Sequence, residues 1–202
     1  MMNEHYYSED PSCESRPAEV RFTYRGHSFV MQSDAGVFSR GELDAGTRIL
    51  LSALPEEMAG DILDLGCGWG PIGISIGTLY PSCHLTFSDT NKRALSLCSQ
   101  NASACGVKGT FVLSDGFADI SAEFDHIITN PPIRTGKQTI YRLFAESESH
   151  LRPGGDLYLV IRKQQGAPSA ITYLKTLFEN VAVIEKSGGY WIIRCIKKEE
   201  DA

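Results

Sequence analysis

The sequence predicts an α/β domain: a mostly parallel sheet with helices on both faces and one antiparallel strand near an edge. Three observations carry this. From residue 61 onward, short apolar runs alternate with amphipathic segments, and strand–helix alternation builds a parallel sheet. Two of these runs, "LDLGCGWGPIG" (63–73) and "IITNPPI" (127–133), stop at small or rigid residues, as strands ending at a ligand site do. The last two runs, "NVAVIEK" and "GGYWIIRCI", are joined by Ser187-Gly188-Gly189, a tight hairpin that makes its edge antiparallel.

The elements follow in order. "EVRFTYRGHSFVMQSD" alternates about Arg25-Gly26 and reads as a hairpin from about Val20 to Met31. Leu43, Gly46, Thr47, Leu50, Leu51 and Leu54 have helical spacing, and Pro55 follows that helix. "DILDL" is a buried strand, with a helix from about Pro71 to Leu79. "CHLTFSD" is the second strand of the series, and "NKRALSLCSQNASACG" a helix that Gly106 stops. "GTFVLSD" and "DHIIT" are the third and fourth strands. "QTIYRLFAESESHL" is a helix ending before Arg152-Pro153-Gly154-Gly155, "DLYLVIR" the fifth strand and "SAITYLKTLFE" a helix before the final hairpin. Residues 1–17 read as a mobile polar arm and 18–202 as one domain, in which 18–59 cover the site and 60–198 form the core.

A chain of 202 residues, 42% hydrophobic and 22% charged, is long enough for one domain with a full core. No apolar stretch approaches the roughly 18 to 20 residues of a membrane span, and the N-terminus lacks the pattern of a secretory signal. The six cysteines form no C-x-x-C pair; their scatter fits thiols in a reducing compartment, hence a cytoplasmic protein, and no metal site is expected. No histidine is given a role. A net charge of −6 counts against a large basic surface. Between Asn130 and Gln165, however, six basic residues (Arg134, Lys137, Arg142, Arg152, Arg162, Lys163) outnumber three acidic ones.

In an open parallel sheet, ligands sit beyond the carboxyl ends of the strands, where strand order reverses. The first strand of the series ends in Asp64-Leu65-Gly66-Cys67-Gly68-Trp69-Gly70. Glycines let the backbone turn sharply and approach a ligand, and Pro71 suits a first helical position. A dinucleotide loop would need glycine at 71, so Pro71 disfavours an NAD-dependent oxidoreductase. Alone, such a loop is also what any tight strand–helix turn looks like. Two further strand ends add weight. Asp89, about twenty residues on, is placed to accept ribose hydroxyls, and Asp115 could accept from an adenine amino group. Either Asp alone could be a cap; three successive strand ends of this kind are hard to explain by capping.

Asn130-Pro131-Pro132 ends the fourth strand. Two prolines stiffen the backbone and remove two donors, leaving carbonyls free to accept. The Asn130 side-chain oxygen and the Pro131 carbonyl could together bind the two hydrogens of an NH2 group and stabilise positive charge developing on its nitrogen.

Taken together, the glycine loop, Asp89 and Asp115 resemble the class I methyltransferases that use S-adenosylmethionine, over nearly the whole chain. The resemblance implies a Rossmann-like sheet of seven strands, in order 3-2-1-4-5-7-6 counted from "DILDL". Asn-Pro-Pro resembles the motif of amino-group methyltransferases, although Ile133 stands where an aromatic residue is usual. "GVFSRGELDAGTRILL", "DILDLGCGWGPIG", "TNPPIRTGK" and "LVIRKQQGAPS" resemble the small-subunit ribosomal RNA guanine-N2 methyltransferases in their short, single-domain form. The resemblance implies a methionine pocket shaped by Gly66, Cys67, Gly68 and Gly70, with Asp64 at the amino group. It further implies Asp89 and Thr90 at the ribose, Asp115 with Gly116 or Phe117 at the adenine, and Asn130 and Pro131 as the catalytic pair. Phe38 would stack on the base, Pro132 and Ile133 would border it, and Arg134, Lys137, Arg162 and Lys163 would contact RNA. The expected partner is ribosomal RNA or the small subunit, and the expected state a monomer or weak dimer. The alternatives are methylation of a protein glutamine, which needs the same acceptors, and a non-catalytic RNA-binding or assembly factor on the same scaffold.

Overall fold

The computed structural model describes residues 13–199; residues 1–12, most of the expected arm, lie outside the described residues. β1 (Ala18–Tyr24) and β2 (His27–Ser33) form the expected hairpin, a separate two-stranded sheet. Apolar residues alternate along it, and Val20, Phe22, Phe29 and Met31 face inward. α1 (Ala45–Ala53) starts at Asp44, whose carboxylate caps it by accepting the Thr47 N–H at 3.0 Å.

The main sheet is built from β3 (Asp61–Leu65), β4 (His84–Asp89), β5 (Thr110–Leu113), β6 (Phe124–Thr129), β7 (Leu151–Arg162), β8 (Asn180–Ser187) and β9 (Tyr190–Ile196). Their order is β5-β4-β3-β6-β7-β9-β8, as the resemblance implied, with β9 antiparallel to both neighbours. α2 (Pro71–Leu79) and α3 (Lys92–Ala104) share one face with α1 and the hairpin, while α4 (Lys137–Ser149) and α5 (Ala167–Leu174) cover the other. The strands feed both layers: Ile62, Tyr158 and Val160 point to the first, Leu63, Leu157 and Leu159 to the second.

Two boundaries differ by five residues from expectation, the others by at most two. β7 begins at Leu151, because Leu151 pairs with Phe124 before Arg152–Gly155 shift the register and Asp156 pairs with His126. α5 ends at Leu174, five residues early, because beyond its cap at Lys175 the amides of Thr176 and Leu177 bond three residues back and tighten the chain into turns.

Asn101, buried on α3, attaches the hairpin to the core. Its side chain accepts from Gln32 N at 2.8 Å and donates to Gln32 O and Trp69 O, each at 2.8 Å. Asn101→Ala would strand these backbone groups, and a loss of about 1 to 3 kcal/mol is expected. Chemical denaturation should show a lower midpoint with an unchanged slope; an unchanged midpoint would mean that the hairpin is held by apolar packing alone.

Candidate functional site

Strand order reverses between β3 and β6. Leu65 and Thr129 are register partners, and the Thr129 hydroxyl donates to Leu65 O at 2.8 Å. The glycine loop and Asn-Pro-Pro therefore leave adjacent strands at one level. A cavity of about 550 Å³ opens there, lined by Gly66, Cys67, Gly68, Asp89, Thr90, Asp115, Gly116, Asn130, Pro131, Pro132 and Ile133. That volume suits a small-molecule site. Phe38 and Arg162, also named from sequence, complete the wall together with Asp44, Thr47, Trp69 and Tyr190.

The loop is pinned from behind. Gly66 and Cys67 donate their N–H groups to Ser88 O at 2.8 and 2.9 Å, and Gly68 donates to Asp89 Oδ2 at 2.8 Å. Gly66 and Gly68 have φ of 72° and 58°, and a Cβ on either would meet nothing within 4 Å. A side chain there would project into ligand space and strain the backbone. Asp89 accepts from Asn91 N at 2.8 Å as well, so it secures the loop in addition to lining the cavity. Burial raises its pKa, against the backbone N–H groups that favour its charge.

Three expected lining residues lie behind the wall. Gly70 is at the start of α2, where a Cβ would sit 2.6 Å from Ile74 and 2.7 Å from Cys98, so its bareness serves packing. The Phe117 ring is buried and stacks on His150 at 4.4 Å. Asp64 is 1% exposed; Oδ2 accepts from Gly73 N at 2.8 Å, while Oδ1 has no partner. Burial, reinforced by the charge of Asp89 and opposed by the Gly73 N–H, pushes its pKa up to about 7. Burial also raises the Cys67 thiol, helped by neighbouring Cys98.

Asn130 has the most determined geometry. Its Nδ2 donates to Asp44 Oδ2 at 3.0 Å and to the Thr47 hydroxyl at 2.9 Å. A carboxylate cannot donate, so the NH2 end must face Asp44 and Oδ1 is left as the amide's acceptor. The Pro131 carbonyl is less free than the sequence suggests: it accepts from Ile133 N at 2.9 Å and keeps one lone pair. Sequence reasoning placed the Asp44–Thr47 segment over the cavity but missed this tie. The helix-cap spacing of Asp44 and Thr47 was the available signal. Trp69 was also missed; its indole donates to Phe38 O at 3.1 Å and holds the segment before α1 against the glycine loop.

The basic residues do not form one rim. Arg152 bridges Asp61 and Asp125, at 2.5 and 2.7 Å, at the opposite, amino end of β3. Arg142 is held by exposed Asp115 at 2.7 Å and by Glu146 at 3.3 Å. Lys137 lies 5.0 Å over the Tyr141 ring, beside a smaller cavity of about 130 Å³ that adjoins Ile133. Lys163 is exposed in the turn after β7. Arg134 lies in the short 3-10 turn Ile133–Thr135, and its side chain falls outside the described residues. Among the described residues, no group of three His, Cys, Asp or Glu could hold a metal ion, and no helix is long and apolar enough to cross a membrane.

Residues 28–194 match the family described as "Methyltransferase small domain". The chain is 43% identical to the uncharacterized protein YbxB of Bacillus subtilis, over 97% of this chain and all of that one. It is 36% identical to ribosomal RNA small subunit methyltransferase C of Haemophilus influenzae, over 81% of this chain but only 50% of that protein. It thus spans about half the length of that relative. In fold it is similar to the T. thermophilus 16S rRNA N2 G1207 methyltransferase in complex with AdoMet and guanosine, with a TM-score of 0.83 and 23% identity, over 93% of this chain and 52% of that one. The bare cradle at Gly66 and Gly68 leaves room for a ligand against the loop, with the Asp89 carboxylate in the wall beside it. The chain therefore belongs to the methyltransferase small domain family.

Proposed function

We propose that this enzyme methylates the exocyclic N2 amino group of a guanine in small-subunit ribosomal RNA, in the cytoplasm. The observation that carries the reading is the fixed Asn130 amide, whose donor end is occupied by Asp44 and Thr47. An exocyclic amine is a weak nucleophile because its lone pair is delocalised into the ring. Asn130 Oδ1 and the remaining lone pair of Pro131 O accept its two hydrogens, turn its own lone pair outward and stabilise the charge that develops on nitrogen. S-adenosylmethionine supplies an electrophilic methyl group on a sulfonium sulfur. The methyl–sulfur bond would break as the N–C bond forms, leaving the sulfur as a neutral thioether, and the nitrogen's proton would pass to water, so no strong base is required. Asp89 and Thr90 would hold the ribose, Asp115 and Gly116 the adenine edge, and Asp64 the amino group through a water. The names of the H. influenzae relative and the T. thermophilus structure support the substrate class. Tritium transfer from labelled S-adenosylmethionine to RNA and protein fractions in parallel, followed by nucleoside analysis, tests it; label confined to protein would overturn it.

Asn130→Ala should keep cofactor affinity and lower single-turnover methyl transfer roughly a hundred- to a thousandfold, the loss for one preorganised polar group. Asn130→Asp should fail as badly, because it sets a second carboxylate against Asp44. Combining Asp44→Asn with Asn130→Asp restores a donor–acceptor pair and should recover activity relative to the single Asp variant. A wild-type rate in Asn130→Asp would sink the proposal.

Asp64 predicts a pH dependence. Its folded pKa lies above the unfolded value of 3.8, so its contribution to the stability of the ligand-free protein is complete below that value. The contribution is lost as pH rises through about 7. A cofactor ammonium favours the carboxylate. Cofactor affinity should therefore rise between about pH 6 and about pH 8, with release of a proton on binding. Calorimetry in buffers of different ionisation enthalpy measures this, and Asp64→Asn should flatten it. A full wild-type profile in the folded variant would remove Asp64 from the site.

A further inference from the structure

A guanine needs a flat surface as well as an acceptor for its amino edge. The Asn130 turn offers none, since Pro131, Pro132 and Ile133 are all aliphatic. The Trp69 indole donates to the Phe38 backbone carbonyl, and both residues line the cavity near the glycine loop. Tyr190 lies on the other side. A methyl group at Gly46 would sit 2.8 Å from Tyr190 Cε1 and 3.0 Å from Asp44 Oδ2, the oxygen that holds Asn130. Tyr190 and the Asn130 anchor are thus packed around one bare residue.

Tyr190 is also paired. It is the register partner of Arg162 across β7 and β9. The Arg162 guanidinium lies 4.6 Å over its ring and donates to its hydroxyl at 2.7 Å. Both residues line the cavity, and Arg162 is exposed to incoming ligand. A ring with a guanidinium lying over it, the pair carrying one positive charge, forms a surface on which a nucleobase lies well, because bases stack on aromatic rings and on guanidinium planes alike.

We propose that the Arg162–Tyr190 stack is the wall on which the target guanine lies, so that the ring plane is set by this pair and the amino edge by Asn130. The inference rests on the guanine reading above. Arg162 then acts through its planar fork and not only through its charge, which lysine cannot reproduce.

The test uses the full chain, saturating S-adenosylmethionine and small-subunit ribosomal RNA. Tyr190→Leu should raise KM for RNA by roughly five- to a hundredfold, the range for losing one base stack. Cofactor affinity should stay near wild type. Tyr190→Phe keeps the plane and should remain within about threefold of wild type. Arg162→Lys keeps the charge; it should raise KM while leaving the salt dependence of RNA binding unchanged. If Tyr190→Leu does not fold, as judged by thermal melting, the exposed Arg162→Lys change carries the test. Wild-type KM in both Tyr190→Leu and Arg162→Lys overturns the proposal, as does a Tyr190→Phe variant as impaired as Tyr190→Leu. A wild-type enzyme that labels no RNA overturns the guanine reading itself, which separates the two failures.

Discussion

Two parallel strands that are neighbours in the sheet but far apart in the chain must end at the same level, and the site follows from that constraint. β3 and β6 pair from Ile62–His126 to Leu65–Thr129. The chain builds β4 and β5 on one side of β3 before returning to place β6 on the other. No connection crosses the crevice between them, so the strand ends stand open at that point. The carboxyl ends are also where backbone groups lose their ladder partners. Here the Gly66 and Cys67 amides turn to Ser88 O, Gly68 turns to Asp89, and the Thr129 hydroxyl closes on Leu65 O. The loop is satisfied from behind, and its front face remains for a ligand.

The sheet and the two strand ends were legible in the sequence because each rests on local chemistry, whereas the strand order followed only from the family resemblance. Apolar runs, a Pro at a helix start and glycines at a turn need only near neighbours to act. The side chains that reach across the fold were harder to read. Asp64 sits inside the motif yet points behind it, since its neighbour in space is Gly73 of the next helix. Arg142 and Arg152 look like free positive charge along the chain, but the fold sets each against two carboxylates. Phe117 follows a site glycine and still turns inward to His150. Each departure depends on a partner that spacing along the chain does not reveal.

Glycine at positions 73 and 77 shows a second kind of information that periodicity hides. A Cβ at Gly73 would lie 2.4 Å from the Phe87 ring, and one at Gly77 2.5 Å from Leu85. α2 therefore approaches β4 more closely than a helix with side chains on that face could. This brings its first turn against the buried Asp64 carboxylate. The conformational cost of two mid-helix glycines, on the order of 1 kcal/mol each, is offset by that close packing.

The segment from Asp34 to Asp44 belongs to no strand or helix. It is held by side-chain bonds: Asn91 to Gly36 O, Trp69 to Phe38 O, and Asn130 to Asp44. The sheet specifies where Asn130 stands, but this strap specifies which way its amide faces. A change in the strap can therefore re-aim the amide without disturbing a single rung of the ladder beneath. The framework and the aim of the site are thus separable, and the aim rests on eleven residues outside every strand and helix, of which Val37 and Leu43 are buried in the core.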